Sequence, residues 1–162
     1  LHSTDVESHT RQIEGLIAGE ADAILLESIC SVEPLTDIIR QIRRRSSWLP
    51  IVASATATHL PDAEAFYRAL PADELLGVGY NCSDGVASIA KQAAWLGANA
   101  RCATVFYPNT GAKGMSPDEF ADGMERYLQQ GVCNIVGGCC GTTPAHIAAL
   151  GAKIARYAPR SF

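Results

Sequence analysis

The sequence lacks the features of a membrane protein or a nucleic-acid-binding protein. No apolar run approaches the roughly 18 to 20 residues that span a bilayer, and no charged-then-apolar leader precedes a small-residue cleavage site. The net charge of −4 and the pI near 5.5 predict no basic surface. Arg43, Arg44 and Arg45 form one short cluster, which we interpret as the solvated end of a helix. We therefore expect a cytoplasmic protein that binds neither membranes nor nucleic acid.

The chain also lacks a Pro/Gly/Ser-rich linker and any low-complexity segment. Its composition, 48% apolar and 19% charged, is typical of a globular domain with a core, so we expect one domain over residues 1–162. The six cysteines are unevenly spaced and two are adjacent, which favours reduced thiols, some of them metal ligands, over disulfides. The start at Leu1 rather than at a methionine leads us to expect a processed or truncated piece.

Short apolar, β-branched runs alternate with longer amphipathic stretches, which predicts an α/β fold. Near-continuous apolar strands of this kind are typical of a parallel sheet that is covered on both faces. The predicted strands are 21–28, 49–55, 75–82, 100–107 and 132–139, and their starts lie 25 to 32 residues apart, the period of a strand plus a crossover helix. The predicted helices are 5–18, 33–46, 62–70, 85–97, 117–130 and 144–157. Ser116-Pro117 and Thr143-Pro144 each provide a hydroxyl cap followed by proline at the first helical position.

Five such units fit two architectures, and periodicity does not choose between them. One is a complete, doubly wound five-stranded sheet; the other is the last five strands of a (β/α)8 barrel, which takes about 250 residues when complete. In both, functional residues collect at the carboxyl edge of the sheet.

Cysteines stand at two of these strand ends. Cys139 and Cys140 close the last strand within GGCCGTTP, where the glycines allow the sharp bend that two adjacent cysteines need to face one ion. Cys82 ends an earlier strand and should reach the same edge. Three thiolates on one Zn²⁺ would leave a coordination position open, as in catalytic zinc sites. Free cysteine is also among the most buried residue types, so these three could instead be small buried apolar residues, and spacing alone leaves both interpretations open.

The other three cysteines lie in or beside apolar strand runs, so we expect Cys30, Cys102 and Cys133 to be buried. None of the four histidines shows a partner pattern. His146 falls in the first turn of the last helix, where exposure to solvent is the usual outcome, and we assign no histidine to catalysis.

The run NIVGGCCGTTPAHI at 134–147 resembles the signature of the homocysteine S-methyltransferase family, and Asn81-Cys82 resembles the Asn-Cys motif of its third zinc ligand. Three further segments follow in the family's order: ADAILLESICSVEP at 21–34, LPIVASAT at 49–56 and VFYPNTG at 105–111. GGCCGTTP followed by HI, and the trailing Ala158-Pro159-Arg160, look most like the cobalamin-dependent branch. The resemblance implies the C-terminal five βα units of a (β/α)8 (TIM) barrel, with the first three strands absent from this chain.

The resemblance also implies an activity, zinc-dependent methyl transfer to homocysteine to give methionine. It implies Cys82, Cys139 and Cys140 as the zinc ligands and Glu27 as the residue that binds the amino group of homocysteine. Asn109 could occupy the open zinc position before substrate arrives. From the residues alone, a loop or capping role for Glu27 and a turn role for Asn109 stay open. The methyl donor would be a corrinoid, S-methylmethionine, S-adenosylmethionine or betaine. A partner module carrying a corrinoid (cobalamin) or methylfolate is one source of it.

Two alternatives remain. If the front of the barrel is missing, the chain could be a catalytically incomplete zinc-binding fragment that needs the N-terminal piece or self-association to cover its strand edges. If the sheet is a self-contained flavodoxin-like one, the chain would be a regulatory domain without zinc.

Overall fold

Strands and helices alternate in the part of the chain that the computed structural model describes, residues 6–162. The strands are β1 (Ile24–Ile29), β2 (Ile51–Ala55), β3 (Gly77–Cys82), β4 (Ala103–Pro108) and β5 (Ile135–Val136). The helices are α1 (Val6–Ala18), α2 (Leu35–Arg45), α3 (Ala63–Arg68), α4 (Ala90–Asn99), α5 (Pro117–Gln129) and α6 (Pro144–Ile154). Each predicted strand and helix is present with shifted ends; residue 5, the predicted start of the first helix, lies outside the described residues. None of the helices from Val6 onward is long and apolar enough to cross a bilayer.

The five strands form one parallel sheet in the order β1-β2-β3-β4-β5. The register places Leu25 beside Val52, Ser54 beside Gly79, Asn81 beside Tyr107 and Val105 beside Ile135. A doubly wound sheet reverses its strand order at a switch point, so the sequential order excludes that architecture and the flavodoxin-like alternative with it. Sequential order is that of consecutive strands in a barrel wall.

The two faces of this sheet differ in what they bury. Residues that face the helices form the core; Tyr80, for example, is fully buried with its ring edge-on to Phe66 of α3, at a centroid distance of 5.6 Å. The opposite face, which corresponds to the inside of a barrel wall, is partly open. There Leu25 on β1 is 47% exposed and Ile135 on β5 is 41% exposed. Both belong to the outermost strands of the sheet, so apolar surface is concentrated at its two edges.

The approach of β3 to β4 is close enough to require glycine. A Cβ built on Gly79 would lie 1.6 Å from the carbonyl oxygen of Val105. No side chain fits there, so a substitution would force the two central strands apart. These strands carry Cys82 and Asn109 to the edge of the sheet, and their spacing therefore fixes the frame of the site.

The last strand is shorter than the predicted 132–139, because regular pairing with β4 covers only Ile135 and Val136. Backbone hydrogen bonds to β4 nevertheless continue beyond it, from Gly137 to Phe106 at 3.0 Å and from Cys139 to Pro108 at 2.9 Å. The glycines end the pleated strand without detaching the chain from the sheet. The cysteine pair is thereby held against the end of β4.

The two predicted helix starts are confirmed, but the prediction for His146 was wrong. Ser116 and Glu119 form a reciprocal capping box at the start of α5. At the start of α6, Nδ1 of His146 accepts a hydrogen bond from the backbone N–H of Thr143 at 3.1 Å, so Nε2 carries the proton that Met115 O accepts at 2.8 Å. The ring also packs edge-on to Phe120. His146 is buried because the first turn of α6 rests on the loop before α5.

Candidate metal centre

Three cysteine sulfurs meet at the carboxyl edge of the sheet. The Sγ atoms of Cys82, Cys139 and Cys140 all lie within 4.8 Å of one another. Cys82 and Cys140 are 3.5 Å apart and Cys139 and Cys140 are 3.8 Å apart, measured between Sγ atoms. Thiolates at about 2.3 Å from one tetrahedral ion are separated by about 3.8 Å, so the cluster matches the spacing of a thiolate site. It could hold a metal ion.

Cys82 reaches this position through a sharp turn at the end of β3. Cys82 and Ser83 both adopt the left-handed backbone region, with φ of 53° and 64°. That conformation costs about 1–2 kcal/mol for each residue with a side chain, and such strain is concentrated at functional sites. A hydrogen bond joins this turn to the end of β4, because the N–H of Asn109 donates to the carbonyl of Cys82 at 3.0 Å.

The loop that carries the other two cysteines is fixed by short hydrogen bonds. The hydroxyl of Thr142 donates to the carbonyl of Cys139 at 2.7 Å, and the N–H of Thr110 donates to the carbonyl of Cys140 at 3.1 Å. Gly141 has φ of 81°, and a Cβ there would lie 2.2 Å from the hydroxyl oxygen of Thr110. Glycine is therefore required directly after the pair, for backbone conformation and for space.

The cluster is open to solvent on one side. Cys140 is exposed, and Cys82 and Cys139 are half-buried. Burial raises the pKa of the Cys82 thiol to about 12, and its hydrogen bonds with the Cys139 and Cys140 thiols add to this shift. A bound dication reverses this preference, because its charge stabilises thiolates. Within the described part of the chain, no histidine, aspartate or glutamate completes the group as a fourth ligand.

Glu27 lies on the open face of β1, with its side chain exposed. Side chains alternate along β1, so Glu27 faces the same side of the sheet as Leu25. Burial raises the pKa of the Tyr107 phenol, Ser54 lowers it, and the negative charge of Glu27 raises it further. Cys139 and Cys82 also raise the pKa of this phenol. Glu27 and the cysteines therefore share one face of the sheet. Sequence reasoning missed Tyr107, which it treated only as part of a strand.

Asn109 is held in place by three hydrogen bonds. Its Oδ1 accepts from the N–H of Gly85 at 2.6 Å and from the N–H of Gly111 at 2.9 Å, and its Nδ2 donates to the carbonyl of Ser83 at 2.7 Å. These contacts give Asn109 a turn role that joins the loops after β3 and β4. A role as the ligand in the open metal position stays a prediction.

The remaining cysteines divide into two kinds. Cys102 and Cys133 are buried, as predicted. The prediction was wrong for Cys30, which is exposed because the chain leaves the sheet directly after Ile29. Its thiol donates to the carbonyl of Ser28 at 3.3 Å.

Comparisons with known proteins identify the family of this chain. The profile of the family described as homocysteine S-methyltransferase matches residues 3–154. The chain is 34% identical over 169 residues to a methionine synthase of Mycobacterium tuberculosis and 32% identical over 170 residues to that of Mycobacterium leprae. These alignments cover 92% and 93% of the chain, but only 14% of each relative. The chain thus spans about a seventh of the length of these relatives.

Solved structures show the same fold. A homocysteine methyltransferase from Escherichia coli in its apo form superposes with a TM-score of 0.69 at 22% identity, covering 94% of this chain and 59% of that one. A mandelate racemase/muconate lactonizing protein from Herpetosiphon aurantiacus gives a TM-score of 0.58 at 15% identity, over 95% of this chain and 51% of that one. The sheet of this protein is therefore built like part of those structures, and the match over residues 3–154 shows that the chain belongs to the homocysteine S-methyltransferase family.

Proposed function

We propose that this chain carries the zinc site at which homocysteine is activated for methyl transfer, giving methionine. The observation that carries the proposal is the cluster of three cysteine sulfurs within 4.8 Å, open to solvent at the carboxyl edge of a parallel sheet. Structural zinc sites are closed by four protein ligands, whereas catalytic sites keep a position for substrate. A cluster of three ligands with one exposed side favours the second kind.

The donor set fits zinc. Thiolate sulfur is a ligand that zinc prefers, and the sulfur spacings of 3.5 and 3.8 Å suit a small tetrahedral ion. When bound, zinc would act as a Lewis acid that holds the substrate sulfur as a thiolate at neutral pH. Three cysteine thiolates around a dication carry a net charge of −1, which keeps an added sulfur electron-rich. Cys82, Cys139 and Cys140 would therefore limit the electron density that the ion withdraws from the substrate sulfur.

Glu27 is suited to bind the other end of the substrate. Its carboxylate lies on the same face as the cysteines and carries the charge that pairs with an ammonium group. Asn109 stiffens the two loops beside Cys82 through its bonds to Ser83, Gly85 and Gly111. We assign it to positioning of the site, with the open metal position as its second proposed role.

The methyl donor is proposed to come from another module. The relatives named methionine synthase are far longer than this chain, which leaves room in them for further domains. A corrinoid or methylfolate module would then present the methyl group to the exposed side of the cluster at Cys140.

A catalytically incomplete zinc-binding fragment is the second candidate, favoured by the exposed position of Glu27 on an outermost strand. A single-turnover assay with homocysteine and methylcobalamin separates the two functions. Formation of methionine by this chain supports the first candidate. Binding of zinc and homocysteine without formation of methionine supports the second candidate.

Homocysteine is expected to enter the metal shell. X-ray absorption of the zinc-loaded chain should report about three sulfur ligands, and about four after saturation with homocysteine, while methionine should leave the spectrum nearly unchanged. An unchanged shell with homocysteine would contradict the proposed function. Four sulfurs before substrate is added would instead identify a structural site.

Substitution of Glu27 by glutamine is expected to weaken homocysteine binding by about tenfold, the scale of one charged hydrogen bond at a partly exposed site, without changing the zinc content. Isothermal titration of homocysteine into the zinc-loaded chain measures the affinity of the wild type and of the variant. Glu33→Gln is the matched control, because Glu33 is exposed like Glu27 but lies beyond the end of β1, outside the sheet. Equal affinities in the two variants would remove Glu27 from the site.

A further inference from the structure

Asn81 lies directly beside the cysteine cluster and is completely buried. Its side chain connects three strands. Oδ1 accepts from the N–H of Ser28 at 3.1 Å and from the hydroxyl of Ser54 at 2.9 Å. Nδ2 donates to the hydroxyl of Ser28 at 2.8 Å and lies 3.9 Å from the Sγ of Cys139. Among the described residues, no other side chain outside the three cysteines forms a hydrogen bond with one of their sulfurs.

The direction of this amide is set by the backbone. Because the N–H of Ser28 can only donate, the atom of Asn81 that faces it must be the carbonyl oxygen. The NH2 group then has to face the hydroxyl of Ser28 and the sulfur of Cys139, with one hydrogen for each. Ser28 is itself in the left-handed region, with φ of 55°, at an irregularity in the pairing of β1 with β2. The bulge turns the backbone N–H of Ser28 towards Asn81.

A donor on one thiolate has a chemical consequence in a methyl-transfer site. The methyl electrophile meets the sulfur of the substrate and three sulfurs of the protein at nearly the same place. A hydrogen bond to a thiolate stabilises its lone pairs and makes it a weaker nucleophile. Cys140, in contrast, contacts the other two sulfurs, and Asn81 does not reach it.

We propose that Asn81 is a positioning residue that holds the Cys139 sulfur in the cluster and lowers its reactivity, so that methyl groups reach the substrate sulfur rather than the protein. This inference rests on the proposed metal site. It does not require that the chain turn over substrate.

Alkylation of the zinc-loaded chain with iodomethane tests the proposal. A thiolate lone pair forms the S–CH3 bond while the C–I bond breaks and iodide leaves. Fragmentation mass spectrometry gives the ratio of methyl on Cys139 to methyl on Cys140. We expect this ratio to rise by about tenfold in Asn81→Asp and in Asn81→Ala, the effect of one charge-assisted hydrogen bond. Ser54→Ala is the matched control, since it removes a contact of Asn81 that does not involve sulfur, and should change the ratio less than about twofold.

A ratio that is the same in the wild-type chain and in both zinc-loaded Asn81 variants would overturn the inference. Loss of zinc from the Asn81 variants but not from Ser54→Ala would support the positioning role. A wild-type chain without zinc would show instead that the proposed metal site itself is absent. Should the Asn81 variants not fold, NMR of the wild-type chain loaded with an NMR-active cadmium isotope decides: coupling between cadmium and the side-chain amide protons of Asn81 is expected, and its absence contradicts the proposal.

Discussion

Serine at Cys82, Cys139 or Cys140 is expected to lower the zinc content of the purified chain from about one ion to less than about a tenth of an ion. The reason is geometric. The three sulfurs lie within 4.8 Å of one another, and no other described histidine or carboxylate can take the place of a lost ligand. A hydroxyl is a weak ligand for zinc beside two thiolates. Metal analysis after dialysis measures the effect.

Cys30→Ser is the matched control for this experiment, because Cys30 is an exposed cysteine at the same edge of the sheet but outside the cluster. Cys102→Ser provides a second control from the buried cysteines. Both should keep about one zinc per chain. Equal zinc contents in all five variants would exclude the cluster as the metal site.

The isolated 162-residue chain is expected to self-associate at micromolar concentration. β1 and β5 each have one side without a partner strand in the described sheet, and the unpaired N–H and C=O groups of such edges bind other strands. Leu25, 47% exposed, and Ile135, 41% exposed, add apolar surface to these edges. Light scattering should therefore give a mass at least about twice that of the chain, or aggregates.

A charge on the open face of β1 should reduce this association, because inward-facing charges protect natural sheet edges. Leu25→Lys is thus expected to lower the scattering mass towards that of a monomer. Leu16→Lys serves as the matched control, since Leu16 is 45% exposed but lies on α1, away from the sheet. A wild-type chain that is monomeric and melts cooperatively without a partner would contradict this prediction.

Strand positions were predictable from the sequence, because apolar β-branched runs are local signals. The strand ends were less so, and β5 is regular only over Ile135 and Val136. The carboxyl ends of parallel strands share an edge, so the strand pattern predicted Cys82 at the same edge as Cys139 and Cys140. Strand order was not predictable from periodicity, which repeats identically in barrel and doubly wound sheets. The barrel order was predicted from the family resemblance and is confirmed, because the five strands pair in sequential order and β1 pairs with β2 alone.

Side-chain contacts across loops were beyond the sequence as well. His146 is buried because the loop that carries Met115, 31 residues upstream, lies over it. Cys30 is exposed because β1 ends at Ile29, the residue before it. Asn109 was predicted either to lie in a turn or to bind the metal, and only the structure shows that its side-chain oxygen accepts from two backbone N–H groups. The contacts of His146 with Met115 and of Asn109 with Gly85 join residues 31 and 24 positions apart, which local patterns do not report.

The placement of Glu27 and the cysteines on different strands divides the site into parts of unequal local stability. Cys82 ends β3, which is paired on both sides, whereas Glu27 lies on β1, which is paired with β2 alone. Amide protons exchange sooner in strands with one partner, because such strands open without global unfolding. Opening of β1 would break the contacts between Ser28 and Asn81 yet leave all three cysteines on segments that remain hydrogen-bonded to β4. The proposed binding of the amino end of a substrate by Glu27 would then vary with the protection of one edge strand. The cysteine cluster would lose only the contact of Ser28 that orients Asn81.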